Sequence, residues 1–222
     1  MDLMPTTLPL FETAASSGCA EKTYVIFGGR RGGTTAVAGV CQRLGLFIGS
    51  GLEANLEDLS FRKIHGMEHI RETIDERNEK FQVWGWKHPT PHSYLSSVVP
   101  NLRNPRFIVV SRDTAAHAAG MMEREDRSAE ESLRLHVKTE RQNLDFVFKH
   151  KMPTLFVSYE KLLVNPDETI LDLAQFLGFS ATPRKIRQIN SFIHPGRYEP
   201  VDTIGKARNF LNQLLGRTSN TV

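Results

Sequence analysis

Cysteine is scarce in this chain: 222 residues carry two, Cys19 and Cys41. They form no C-x-x-C pair, so nothing suggests a disulfide framework, and a reducing, cytoplasmic home is the expectation. Long apolar runs are missing too. No stretch reaches the about 18 residues that a membrane-spanning helix needs. The opening MDLMPTTLPLFETAASSG lacks a basic start, and Pro5 and Pro9 break its apolar run, so it does not read as a secretory signal. A large excess of one charge is also absent. The 28 Lys and Arg stand against 25 Asp and Glu, a formal net charge of +3. That balance gives no support to a nucleic-acid partner and suits a pocket for a small anion. Repeats and low-complexity tracts are not found, which leaves one globular domain.

The residues that are present fit such a domain. Hydrophobic residues make up 40% and charged ones 24%, and the length allows a sizeable core. Short β-rich apolar runs alternate with helical patterns. Tyr24–Phe27, Leu46–Ile48, Gln82–Lys87, Arg106–Ser111 and Thr154–Ser158 read as strands. Thr34–Leu44 reads as a helix stopped by Gly45. Ser128 with Glu131 forms a capping-box pattern that opens a long helix, whose apolar face would be Leu133, Val137, Leu144 and Phe148. Asn165 and Pro166 start another helix, closed by Gly178. The alternation predicts an α/β fold: a three-layer α/β/α domain with a parallel sheet of about five strands, in the style of P-loop nucleotide-binding proteins. Residues 1–22 are expected to form a loosely ordered arm and 23–222 the single domain.

The most informative segment follows the first predicted strand: Gly28-Gly29-Arg30-Arg31-Gly32-Gly33-Thr34-Thr35. A glycine-rich turn between a strand and a helix presents backbone N–H groups to a phosphate. Against the pattern G-x-x-x-x-G-K-[ST], Gly28, Gly33 and Thr35 hold the expected places, but Thr34 replaces the lysine. Without that lysine the loop is poorly equipped for a γ-phosphate and suits a ligand with a single 5′-phosphate. Arg30 and Arg31 supply the positive charge instead. A second anchor is Arg112-Asp113, which ends a predicted strand where ligands of open α/β sheets bind.

These segments resemble the sulfotransferase superfamily. Arg31-Gly32-Gly33-Thr34-Thr35 is similar to the loop that takes the 5′-phosphosulfate of 3′-phosphoadenosine 5′-phosphosulfate (PAPS). Ser111-Arg112-Asp113-Thr114 is similar to the strand end that holds its 3′-phosphate, with Thr114 at a usual proline and Gly120 at a usual serine. Tyr159-Glu160-Lys161-Leu162 through Phe176-Leu177-Gly178 looks like the family's next segment, which implies Tyr159 near the adenine or its phosphate. His194-Pro195-Gly196-Arg197-Tyr198 resembles a loop that folds over the nucleotide, with Arg197 as a second 3′-phosphate partner.

The resemblance implies sulfuryl transfer from PAPS to a hydroxyl or amine of a small acceptor, with the bisphosphate PAP as product and no metal required. Lys87, in Lys87-His88-Pro89, is implied as the cation beside the transferring group, with Arg31 near the bridging oxygen. Glu57 and Asp58 are the candidate bases, with Glu53 behind them and His65, His88 and His92 as other options. The 53–80 segment, Trp84, Trp86 and His92 are expected to line the acceptor site. A homodimer is possible. Competing readings are a P-loop kinase or nucleoside triphosphatase, a non-catalytic PAP- or PAPS-binding protein, and, from His65-Gly66-Met67-Glu68-His69, a zinc hydrolase.

Overall fold

The structure is a computed structural model, and it describes residues 5–125 and 127–193. Five strands form its sheet: β1 (Thr7–Leu10), β2 (Lys22–Gly28), β3 (Val83–Lys87), β4 (Pro105–Ser111) and β5 (Thr154–Ser158), in the spatial order β1-β5-β4-β2-β3. The helices are α1 (Ala14–Gly18), α2 (Thr34–Leu44), α3 (Gly66–Lys80), α4 (Leu95–Val98), α5 (Thr114–Glu125), α6 (Ala129–His150), α7 (Tyr159–Val164), α8 (Pro166–Leu177) and α9 (Pro183–Asn190). Strands β2 to β5 pair in parallel and β1 joins the edge antiparallel to β5.

Side chains alternate across the strands into two cores. Tyr24, Ile26, Ile108 and Val110 pack with α2, α7 and α8 on one face. Val25, Phe27, Phe107 and Val109 pack with α3, α4 and part of α6 on the other. Three layers result, as the alternation predicts.

Two expectations about the sheet's margin need correction. Leu46–Ile48 contributes only an isolated bridge, Phe47 to Trp84, and not a strand. The fifth strand instead comes from the segment expected to be a loose arm. Thr6 and Thr7 donate to Asp172 at 2.7 and 2.8 Å, and Glu12 accepts from the buried Arg106 at 2.9 Å. Partners more than 90 residues away supply the order, so local sequence carries no sign of it. Pro9 is tolerated because β1 is an edge strand.

The helix α6 also departs from its reading. Its capping box forms, with Ser128 Oγ accepting from Glu131 N at 3.2 Å. Its inward face, however, is Ser132, His136, Thr139 and Asn143 with Phe146 and Val147. Leu133, Val137, Leu144 and Phe148, expected in the core, are 40–61% exposed.

Strand order places the functional end. From β2 the chain moves outward to β3, then crosses back over β2 to β4, and from there outward to β5. The carboxyl ends of β2 and β4 are therefore neighbours whose following loops diverge, which is where open α/β sheets form their ligand crevice.

Candidate active site

The turn after β2 is closed by Gly32 N donating to Gly29 O at 3.0 Å. A Cβ on Gly32 would meet that carbonyl at 2.8 Å, so the turn requires glycine there. Arg31, in the turn's third position, has φ 61°, a conformation that such turns usually give to glycine. Gly33 (φ 87°) caps α2 without a side-chain hydrogen bond, so the first amides of the helix remain for a ligand. The Tyr159 ring lies directly on Gly33, where a Cβ would approach its Cδ2 to 2.3 Å.

Arg112 follows β4 and reaches this loop. Its Nη1 donates to the Arg31 carbonyl at 2.7 Å, its guanidinium carbon lies 5.2 Å from the centre of the Tyr159 ring, and Glu160 is 3.9 Å from its Nε. Gly120, on α5, sits beside it: a Cβ there would lie 3.4 Å from Arg112 Nη1. Arg31 is 3.8 Å from Glu125.

The other wall is built from β3 and the segment that precedes α3. Lys87 ends β3 and is 2% exposed. Its Nζ donates to Glu57 Oε1 at 3.0 Å and to the Asn55 carbonyl at 3.1 Å. Thr35 Oγ1 donates to that same carbonyl at 3.1 Å, and Asn55 Oδ1 accepts from Glu57 N at 2.9 Å. Asn55 thus ties the start of α2, Lys87 and Glu57 together. Leu56 between them is left-handed, with φ 62°.

Together these walls enclose an open cleft of about 360 Å³. Arg30, Arg31, Arg62, Lys87, Arg112 and Arg124 line it against Glu57, Glu123 and Glu125, so six basic groups face three acidic ones. In a chain whose net charge is only +3, that concentration favours an anionic ligand.

Of the residues singled out in the sequence, Arg30, Arg31, Gly33, Thr34, Thr35, Glu57, Lys87, Arg112 and Tyr159 line this one cleft. Gly32 shapes the loop from below. Arg197 and the segment around it lie outside the described residues. Asp58 points elsewhere: it is 2% exposed, it forms an ion pair with Arg77 of α3, and it accepts from Ser60 N at 3.0 Å. Glu53 pairs with Arg62 at 2.5 Å.

The histidines divide similarly. His88 Nδ1 accepts from Thr90 N at 3.2 Å, and burial pulls its imidazole down to about 4. His92 Nε2 is 2.8 Å from Asn143 Oδ1. His65 precedes α3 and does not share a helical face with His69, although their rings are 5.3 Å apart. Trp84 and Trp86, expected against the acceptor, are core residues with no exposure. Trp86 stacks on Phe61 at 4.3 Å.

Asn55, Arg62 and the Glu123–Glu125 end of α5 were not singled out in the sequence. Asn55 alone left a sign, as the Asn of an Asn-x-Glu turn. The ring of His117, on α5, backs the loop, where a Cβ on Gly29 would meet Nε2 at 3.0 Å.

Comparison with known proteins agrees with this architecture. No curated protein sequence matches the chain. Among solved structures, it superposes on mouse sulfotransferase SULT7A1 complexed with PAP with a TM-score of 0.55, at 13% identity over 91% of this chain and 86% of that one. It superposes on the sulfotransferase domain of the Synechococcus PCC 7002 olefin synthase with a TM-score of 0.54, at 16% identity over 86% of this chain and 94% of that one. At such identities the likeness establishes the fold. The sulfotransferase domain family matches residues 23–194, most of the chain, and the protein belongs to that family.

Proposed function

We propose that the protein transfers a sulfuryl group from PAPS to a hydroxyl or amine of a small acceptor, as a cytoplasmic enzyme that needs no metal. The observation that carries the reading is the cleft itself. It gathers a phosphate-type loop, a part-buried Lys87–Glu57 pair and the strand-end Arg112 at the crevice of a parallel sheet. A related fold complexed with PAP supports the choice of donor. Thr34 stands where a nucleoside-triphosphate loop carries its lysine, which favours this reading over a kinase or nucleoside triphosphatase.

In this reading the amides at the start of α2, with Arg31, hold the 5′-phosphate, and Arg112 faces the 3′-phosphate beside the Tyr159 ring. Arg197 is proposed as a further 3′-phosphate partner. The acceptor oxygen or nitrogen attacks sulfur in line with the bond to the 5′-phosphate. That bond breaks and its electron pair leaves with PAP. Glu57 takes the acceptor's proton, and Lys87 donates hydrogen bonds to the transferring group as its charge shifts. Arg31 neutralises the departing phosphate. Asp58, held by Arg77, supports the segment from behind.

Calorimetry with PAP and ADP, without magnesium, tests the donor. Tight PAP binding, weak ADP binding and loss of the difference in Arg112→Ala are expected. PAP binding no tighter than ADP binding overturns the reading.

A further inference from the structure

With the donor in place, the cleft still holds cations that have no role in its binding. Arg31 and Arg112 face the donor phosphates and Lys87 the transferring group, which leaves Arg30, Arg62 and Arg124. Arg30 is the exposed second residue of the turn after β2, and its guanidinium makes no hydrogen bond or ion pair among the described residues. Arg62 belongs to the segment that carries Glu57. Glu53 N donates to the Glu57 carbonyl at 3.2 Å, and the Glu53 carboxylate accepts from Arg62 Nη2 at 2.5 Å. That pair is 42% and 37% exposed and engages only one nitrogen of the guanidinium, so Arg62 keeps donors for a ligand.

Arg30 and Arg62 stand at the transfer end of the cleft. Burial is the main cause that holds the His88 imidazole below its ordinary value. Glu57 opposes it, while Lys87, Arg30 and Arg62 add to it, so one ring next to Lys87 feels all four charges. The acidic end of α5 lies elsewhere, with the donor. Glu125 is 3.8 Å from Arg31 and 3.2 Å from Arg127, and Gly120 of the same helix lies against Arg112. Glu123 and Arg124 share that end of α5. At the transfer end, Lys87 is matched by Glu57 and Arg62 by Glu53, and Arg30 is left over. This part of the cleft is therefore positive before any ligand enters it.

The lining also lacks what a flat, apolar acceptor needs. Among the described residues, the one aromatic ring on the cleft is Tyr159, which lies on Gly33 with the donor. Pro89 is the one apolar side chain beside Lys87. Trp84 and Trp86 have no exposure. A phenol or a sterol binds by burying its faces against apolar walls. Guanidinium groups suit an oxyanion, which they grip through paired N–H donors.

We propose that the acceptor is a small alcohol or amine that carries a carboxylate or phosphate, and that Arg62 and Arg30 bind this oxyanion while the nucleophile faces Lys87 and Glu57. The proposal rests on the sulfuryl-transfer reading and adds the acceptor's charge to it. Arg30, expected from the sequence to serve the donor, serves the acceptor instead.

Calorimetry on the PAP-saturated full chain at low ionic strength tests this, with glycerol, glycerate, glycerol 3-phosphate and 3-aminopropane-1,2-diol as probes. PAP fills the donor phosphate sites, so an anion bound in its presence reports on the transfer end. At least one of the two anions should bind about tenfold tighter than glycerol or the amine, and the tighter of them identifies the oxyanion as carboxylate or phosphate. Arg62→Gln and Arg30→Gln should each weaken that anion at least about fivefold, with PAP affinity kept within about twofold. Glu53→Gln releases Arg62 without removing it and should tighten the anion, whereas a purely structural Glu53–Arg62 pair predicts a loss in both variants. Anions that bind no better than glycerol overturn the inference. So does an anion affinity indifferent to Arg62→Gln and Arg30→Gln, or a PAP affinity that falls in step with it, which returns both arginines to the donor. If PAP itself does not bind, the donor reading falls separately, and the same titrations of the free chain still decide the acceptor's charge by their dependence on Arg62.

Discussion

Lys87 Nζ donates to Glu57 Oε1 at 3.0 Å, and the lysine is 2% exposed while the Glu57 side chain is 16% exposed. The two charges therefore depend on each other for solvation. Lys87→Met leaves Glu57 poorly compensated and should cost about 1–3 kcal/mol of stability, as should Glu57→Gln for the reverse reason. The double variant removes both charges and should regain most of that loss. Turnover should fall about 10²-fold or more in all three, with PAP affinity kept within a few-fold. Thermal melts, calorimetry and transfer rates on one set of proteins check this. Loss of PAP affinity in step with turnover would remove Lys87 from its assigned role.

Asn55 holds that pair in place with its side chain and its carbonyl. Asn55→Ala keeps the carbonyl that binds Lys87 and Thr35 but removes the Oδ1 that accepts from Glu57 N. The left-handed Leu56 then loses one of its restraints. About 1 kcal/mol of hydrogen bonding is at stake, and in a site that requires alignment this should appear in kcat, roughly tenfold, with the donor KM unchanged. Asn55→Asp keeps an acceptor for the turn and should restore part of the rate. Equal losses in both variants, or a matching rise in KM, would argue against a positioning role.

Most of this architecture was legible in the sequence, because its signals are local. Thr34–Leu44 with Gly45 and Thr154–Ser158 appear where the pattern puts them, and the glycine turn and Arg112 meet because both end parallel strands. What was not legible depends on distant contacts. Strand β1 is fixed by Asp172 and Arg106. Glu57 and Asp58, adjacent and chemically alike, diverge because Arg77 captures one and Lys87 the other. Leu133, Val137, Leu144 and Phe148 have the period of a core helix, and periodicity gives the apolar face without saying what covers it.

Two glycines in the cleft should respond oppositely to the same change. Gly33 has φ 87°, and a Cβ there would press into the Tyr159 ring at 2.3 Å. Gly33→Ala should destabilise the protein by about 1–3 kcal/mol and weaken PAP binding by displacing the ring or the start of α2. Gly120 is helical, and its nearest neighbour is the movable end of Arg112 at 3.4 Å. Gly120→Ala should be neutral or stabilise by up to about 1 kcal/mol through helix propensity. Melting temperatures separate the two. PAP binding unaffected by Gly33→Ala would detach the turn from the ligand.

Acid should loosen the molecule from behind the glycine loop. His117 is 3% exposed, its ring centre is 4.4 Å from that of His136, and burial lowers both imidazoles, His117 to about 4 from an ordinary 6.5. His136 beside it and Arg112 act in the same direction on His117, while Glu125 opposes them. A folded-state value below the unfolded one means that the unfolded chain binds the proton first. The stability from keeping His117 neutral is therefore complete above about 6.5 and is lost as pH falls toward about 4, with a slope of about 1.4 kcal/mol per unit for a fully titrating histidine. Carboxylates add their own acid sensitivity, so the test is a difference. His117→Gln removes the titration and keeps a polar side chain, and its melting temperature should fall less steeply than the wild type's between pH 6.5 and 4. Because the ring backs Gly29 and stays neutral in the folded protein until about 4, PAP affinity should hold across most of that interval and change only as pH approaches 4, and less so in the variant. Parallel slopes in the two proteins would mean that His117 does not take up the proton, and that the acid sensitivity of the loop has another source.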